Sequence, residues 1–151
     1  MSEEQKPSVF GIQKIYVKDA SLEIPNAPQI FLEQGNPAIS VEVHSKAEQI
    51  GESMYEVVLT VTVTSKLEDE KTVFLVEVGQ AGIFQIENVP QGDIEPLLGV
   101  ACPNILFPYV RESISDLVNR AGFPPVMLQP MNFESIYQQQ KQMQAQSETT
   151  H

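Results

Sequence analysis

The chain has 151 residues, 42% of them hydrophobic, and its 20 acidic and 9 basic side chains give a formal net charge of −11. That length suits one domain and that apolar content suffices for a core, which excludes wholesale disorder. The charge disfavours nucleic acid and anionic membranes as partners and leaves a basic protein surface as a better one, although acidity of this kind also serves solubility alone.

The opening "MSEEQKPS" has neither the basic start nor the apolar centre of a signal peptide, and residues 1–8 read as a short disordered tail. No apolar run approaches the roughly 20 residues of a membrane span, so the expected location is cytoplasmic, with no membrane insertion. The single cysteine, Cys102, excludes an intrachain disulfide.

Residues Val9–Ile24 have strand composition, but the alternation slips: Phe10 and Ile12 share one parity, Ile15 and Val17 the other. A slip of that kind predicts a bulge or a change of covering. Pro25–Pro37 carries three prolines and a glycine in 13 residues, which reads as a long connection. A second strand follows with Ile39, Val41 and Val43 on one face. The third strand alternates most clearly. Tyr55, Val57, Leu59, Val61 and Val63 face one way, Glu56, Thr60, Thr62 and Thr64 the other, as in an antiparallel sheet covered on one side. After the polar turn "KLEDEK", a fourth strand places Phe74, Val76 and Val78 inward and Val73, Leu75 and Glu77 outward.

Helices come last. "GDIEPLLGVA" reads as a turn or two at most because of Pro96. The segment "ACPNILFPYVRESISDLVNRAGFPP" holds the best-marked helix, with Pro108 in its first turn and Val110, Ile114, Leu117, Val118 and Ala121 at helical spacing. Arg111, Glu112, Ser115, Asp116 and Arg120 occupy the opposite face, and Gly122 followed by Pro124 and Pro125 marks the stop. A final helix begins at Asn132 as its cap, with Phe133, Ile136 and Tyr137 on one side. Beyond Tyr137 the glutamine-rich sequence loses its apolar face, so the helix is expected to fray and residues 141–151 to form a flexible tail, leaving a domain at 9–140. Strands first and helices last predict an α+β fold: a four-stranded antiparallel Greek-key sheet in the order one, four, three, two, with helices packed on one face. The first strand is then an edge that needs covering or pairing.

No motif points to catalysis. The sequence has no G-x-x-x-x-G-K, G-x-G-x-x-G or G-x-S-x-G, and His44, His151 and Cys102 lack metal-ligand spacing. Cys102, in an apolar run, reads as a small buried hydrophobe. The expectation is therefore no enzyme, no catalytic residue, no metal and no cofactor. The informative side chains are surplus apolar ones: Val73 and Leu75 on the threonine side of the sheet, Ile30 and Phe31 in the long loop, and Phe133 and Tyr137 on the last helix.

The stretches "IYVKDASLEIPNAPQIF", "YEVVLTVTVT" and above all "CPNILFPYVRESISDLVNRAGFPPVMLQPMNF" closely resemble SecB, the bacterial protein-export chaperone family. The resemblance runs in order from about Phe10 to Tyr137. It implies a homotetramer, a dimer of dimers, that binds unfolded preproteins without nucleotide and passes them to the motor ATPase SecA. It also implies a SecA-contacting sheet face, matched by Asp19, Glu23, Leu75 and Glu77, and apolar client grooves, matched by Phe31, Val41, Tyr109, Phe133 and Tyr137. In the family a mobile C-terminal tail makes a second contact with SecA, whereas the tail here is glutamine-rich with few charges. Two other readings remain beside this one: a small-ligand or enzymatic domain, and the same fold with another role, either a purely structural oligomer or a general or antitoxin-linked holdase with non-secretory clients.

Overall fold

Valine or leucine alternates with threonine through residues 59–64, and a period of two sends the apolar set to one side of a strand. In the computed structural model, which describes residues 6–149, this stretch is the heart of β3 (Met54–Lys66). β1 (Val9–Glu23), β2 (Ala38–Gln49) and β4 (Thr72–Glu87) complete one antiparallel sheet in the order β1-β4-β3-β2. Residues 1–5, most of the expected N-terminal tail, lie outside the described residues, as does His151.

The slip of phase in β1 has a structural cause. Its pairing with β4 shifts between Ile12 and Lys14 and again between Val17 and Asp19, leaving Gln13 and Lys18 as extra residues. Each bulge flips the alternation, so Phe10 and Ile12, then Ile15 and Val17, then Ala20 and Leu22 all face the helical side. A third irregularity overturns one expectation. The β3–β4 register shifts between Ser65 and Lys66, and the extra residue on β4, Val73, turns into the core instead of joining Leu75 on the outer face.

The helical layer is longer than the sequence pattern suggests. α1 (Gln91–Pro96) runs through a π turn at Leu97–Ala101 directly into α2 (Cys102–Arg120). α2 therefore begins ahead of Pro108, which sits inside the helix rather than in its first turn. Pro108 removes the bond to the carbonyl four residues back, that of Asn104, and both residues lie on the exposed side of the helix. Pro96 and Pro103 flank the π turn, which is the turn that precedes Pro103, the point where a proline ring crowds a regular α-helix.

α2 lays Leu106, Phe107, Val110, Ile114 and Val118 across β3 and β4, where they meet Val57, Leu59, Val61, Val63, Val76, Val78 and Phe84. Each fully buried large apolar side chain contributes roughly 1.5–3 kcal/mol, so this seam dominates the fold. Gly122, at φ +93°, takes the left-handed conformation that ends α2. α3 (Phe133–Thr149) starts where Asn132 Oδ1 accepts the Ser135 N–H at 3.0 Å. It continues well past Tyr137, because glutamine, lysine, alanine and methionine sustain a helix by propensity after the apolar face has ended. Residues 141–149, expected as a tail, thus extend the helix.

Candidate functional site

Cys102 is buried, and burial pushes its thiol up to about 12, so no thiolate forms at neutral pH. Among the described residues no group of three or more His, Cys, Asp or Glu could hold a metal ion. No helix among them is long and apolar enough to cross a membrane.

The sheet face turned away from the helices carries an ordered set of charges. Across β1 and β4, Glu23 lies opposite Leu75, Ser21 opposite Glu77 and Asp19 opposite Gly79. Both bulges precede Asp19, so Asp19 and Glu23 keep one parity and share a face with Leu75 and Glu77. Thr62 Oγ1 donates to Glu77 Oε2 at 2.9 Å. Lys18, Lys66, Lys71 and Arg120 make the ion pairs found among the described residues, and none of these involves Asp19, Glu23, Glu42 or Glu77.

A cluster that the sequence did not reveal lies further along the same face. The Tyr16 hydroxyl donates to Glu56, whose other oxygen accepts from Lys18 Nζ at 2.8 Å. Lys18 holds the Glu56 carboxyl below the ordinary carboxylate range, with help from Tyr16. Burial, then the bond to Glu56, pushes Tyr16 up to about 12. Lys18 is the extra residue of the second bulge, so a strict alternation gives no sign of this meeting.

On the helical side α2 covers the two central strands and leaves both edges partly bare. Phe10, Ile12 and Val17 of β1 remain exposed, as do Ile39 and Val41 of β2. Phe31, in the long β1–β2 loop, is 48% exposed and stacks on Phe123 at 5.0 Å, and Phe123 in turn meets Phe74 at 5.3 Å. The loop is tied to the start of β4 by Asn26 Nδ2, which donates to the Thr72 carbonyl at 2.9 Å, and by the Lys71–Glu33 ion pair. Tyr137 packs on Gly99 of the π turn and helps line a cleft with Ser45, Ala47, Leu98 and Lys141.

The five expected client residues therefore differ in fate. Phe31, Val41 and Tyr109 are exposed and Tyr137 is partly buried. Phe133 is only 2% exposed and packs edge-on against Phe107 at 5.7 Å, so it belongs to the core. Phe31 lies at the C-terminal end of α2 and Tyr137 beside its N-terminal end, about 28 Å apart along a helix of this length. The inward row of β2, with Ile39, Val41, Val43, Ser45 and Ala47, spans that interval. Tyr109 stands about 200° around α2 from Phe107 and so occupies the flank away from α3.

An α+β domain with buried, inert cysteine chemistry and bare apolar sheet edges belongs to the class of proteins that act through their surfaces. Comparison with known proteins agrees with that class. Residues 2–144 match the family model described as "Preprotein translocase subunit SecB". The protein-export protein SecB of Methylobacillus flagellatus is 63% identical over 99% of this chain and 96% of its own. That of Chromobacterium violaceum is 61% identical over 97% of this chain and 98% of its own. The fold matches, at TM-score 0.68 and 18% identity, the SecB-like chaperone of Mycobacterium tuberculosis solved with a peptide of the HigA1 antitoxin; the match covers 81% of this chain and 90% of that one. The chain belongs to the SecB family of protein-export chaperones, which are not enzymes.

Proposed function

We propose that this protein is an ATP-independent holdase of the cytoplasm that binds unfolded secretory precursors and delivers them to SecA, acting as a homotetramer built as a dimer of dimers. The observation that carries the reading is the inward row of β2, which continues the core's apolar face beyond the cover of α2 and runs from the Phe31 loop to the Tyr137 cleft. A strip of that length and chemistry suits an extended apolar segment without selecting a sequence. The acidic outer face, with Leu75 beside Glu23 and Glu77 beside Thr62, supports a basic partner surface, and SecA is the partner that the family resemblance implies.

The bare edge of β1 supports assembly, since pairing two such strands removes an unpaired ladder. The names of the close relatives favour export over an antitoxin client. Capture of a denatured precursor, followed by its release to purified SecA, tests the reading. The precursor should stay soluble with the protein and aggregate without it, and light scattering should give about four times the chain mass. A stable monomer at micromolar concentration, or no effect on the precursor, would overturn it.

A further inference from the structure

Thr62 stands between two carboxylates. In the cross-strand register it lies opposite Glu77 on β4 and opposite Glu42 on β2, so both acids flank one hydroxyl. A hydroxyl has a single proton to donate, and the structure gives it to Glu77, at 2.9 Å from Oε2. Glu77 is the carboxylate most in need of an anchor. On β1 its diagonal neighbours are Asp19 and Glu23, of the same sign and about 7–8 Å away. Left to itself, a side chain with three rotatable bonds would spread over rotamers pointing away from them. The bond from Thr62 selects orientations leaning toward β3 and leaves Oε1 free. Thr60, on the same face of the same strand, donates to no carboxylate, so the bond is particular to position 62.

We propose that Thr62 is a positioning residue for partner docking: its hydroxyl fixes Glu77 in the orientation in which the free Oε1 receives a cationic side chain of SecA. This inference rests on the proposed docking of SecA at the outer face. Pre-ordering one flexible side chain removes part of the entropic cost of binding, an effect of about twofold to fivefold in affinity for an exposed ion pair.

The test measures the affinity of purified SecA for the full-length chain and its variants. Thr62→Val keeps a β-branched shape and removes the proton donor; it should weaken SecA binding by about twofold to fivefold. Thr62→Ser should restore it, and Thr60→Val should leave it unchanged. In a Glu77→Ala background, Thr62→Val should have no further effect, the signature of two residues acting as one unit. Client holding, measured in parallel, should be unaffected in every variant. If Thr62→Val weakens binding equally in the Glu77→Ala background, or if serine fails to rescue, the inference is wrong while the docking site stands. If Glu77→Ala alone leaves SecA affinity unchanged, the inference fails; if the lysine replacement of Asp19, Glu23 and Glu77 together also leaves it unchanged, the docking reading fails with it.

Discussion

The ring of Tyr137 occupies the space that a side chain on Gly99 would take: a Cβ there would come 2.5 Å from Tyr137 Cδ2 and 2.7 Å from Cε2. The glycine in the π turn is what lets α3 close onto the helical layer. Gly99→Ala should therefore displace Tyr137 and cost about 1–3 kcal/mol, as overpacking does. Hydrogen exchange should show the lost protection concentrated in α3, and uniform loss along the sheet would contradict this account.

The Tyr16–Glu56–Lys18 cluster makes stability depend on acid. Glu56 has a depressed folded-state pKa, so the unfolded chain takes up its proton more readily. The contribution is complete above the ordinary glutamate value of about 4.3 and is lost as pH falls through the lower folded value. At neutral pH it should amount to about 1 kcal/mol, because Lys18 is half exposed. Denaturant titrations should give Glu56→Gln a lower stability at pH 7, with the gap to the parent closing in acid. A gap that stayed constant down to pH 3 would remove the linkage.

On the outer face, replacing Asp19, Glu23 and Glu77 together by lysine should abolish SecA binding, most visibly at low salt, and leave client holding intact. No single carboxylate is decisive, since an exposed ion pair contributes only about 0–1 kcal/mol. Leu75→Gln should also weaken SecA binding, with less dependence on salt. Titration of each variant with SecA at two ionic strengths decides the matter. Unchanged affinity in the triple variant would move the docking site elsewhere.

Phe31→Ala should weaken the holding of a long unfolded chain, because the ring is half exposed and borders the bare strip. Phe133→Ala should instead cost about 3–5 kcal/mol of fold stability, the penalty for emptying a buried aromatic site. Short peptides should bind far more weakly than the long chain. Each buried apolar side chain contributes roughly 1.5–3 kcal/mol against about 1–2 kcal/mol to order each residue, so tight holding needs several contacts at once. Equal affinity for a ten-residue peptide and a full chain would contradict a distributed site.

The sheet was legible because its residues declare their side: Val57, Val61 and Val63 of β3 go in and its threonines out, and the slip between Ile12 and Ile15 announced a bulge. Val73 was not legible. Its bulge follows a turn, where no long alternation exists to reveal a skipped position. The start of α2 was hidden by Pro103 and Pro108, which locally argue against a helix and are outvoted by the burial of Leu106, Phe107 and Val110. The outer-face residues could be grouped from parity alone, since no irregularity separates Asp19 from Glu23. Phe133 could not be sorted from Phe31, because burial of a lone aromatic depends on which helix it meets, and that is a tertiary fact.

The two bulges divide β1 into paired runs of four, four and five residues, Val9–Ile12, Lys14–Val17 and Asp19–Glu23. A strand docking on this edge meets an interrupted, strongly twisted template, so contact is confined to short stretches and a sliding misregister finds no second set of matching bonds. With the proposed holding of unfolded chains, a long and flat border would be a dangerous nucleus, since such borders seed cross-β growth. An irregular β1 favours pairing with a matching copy of itself in one register over open-ended addition of strands.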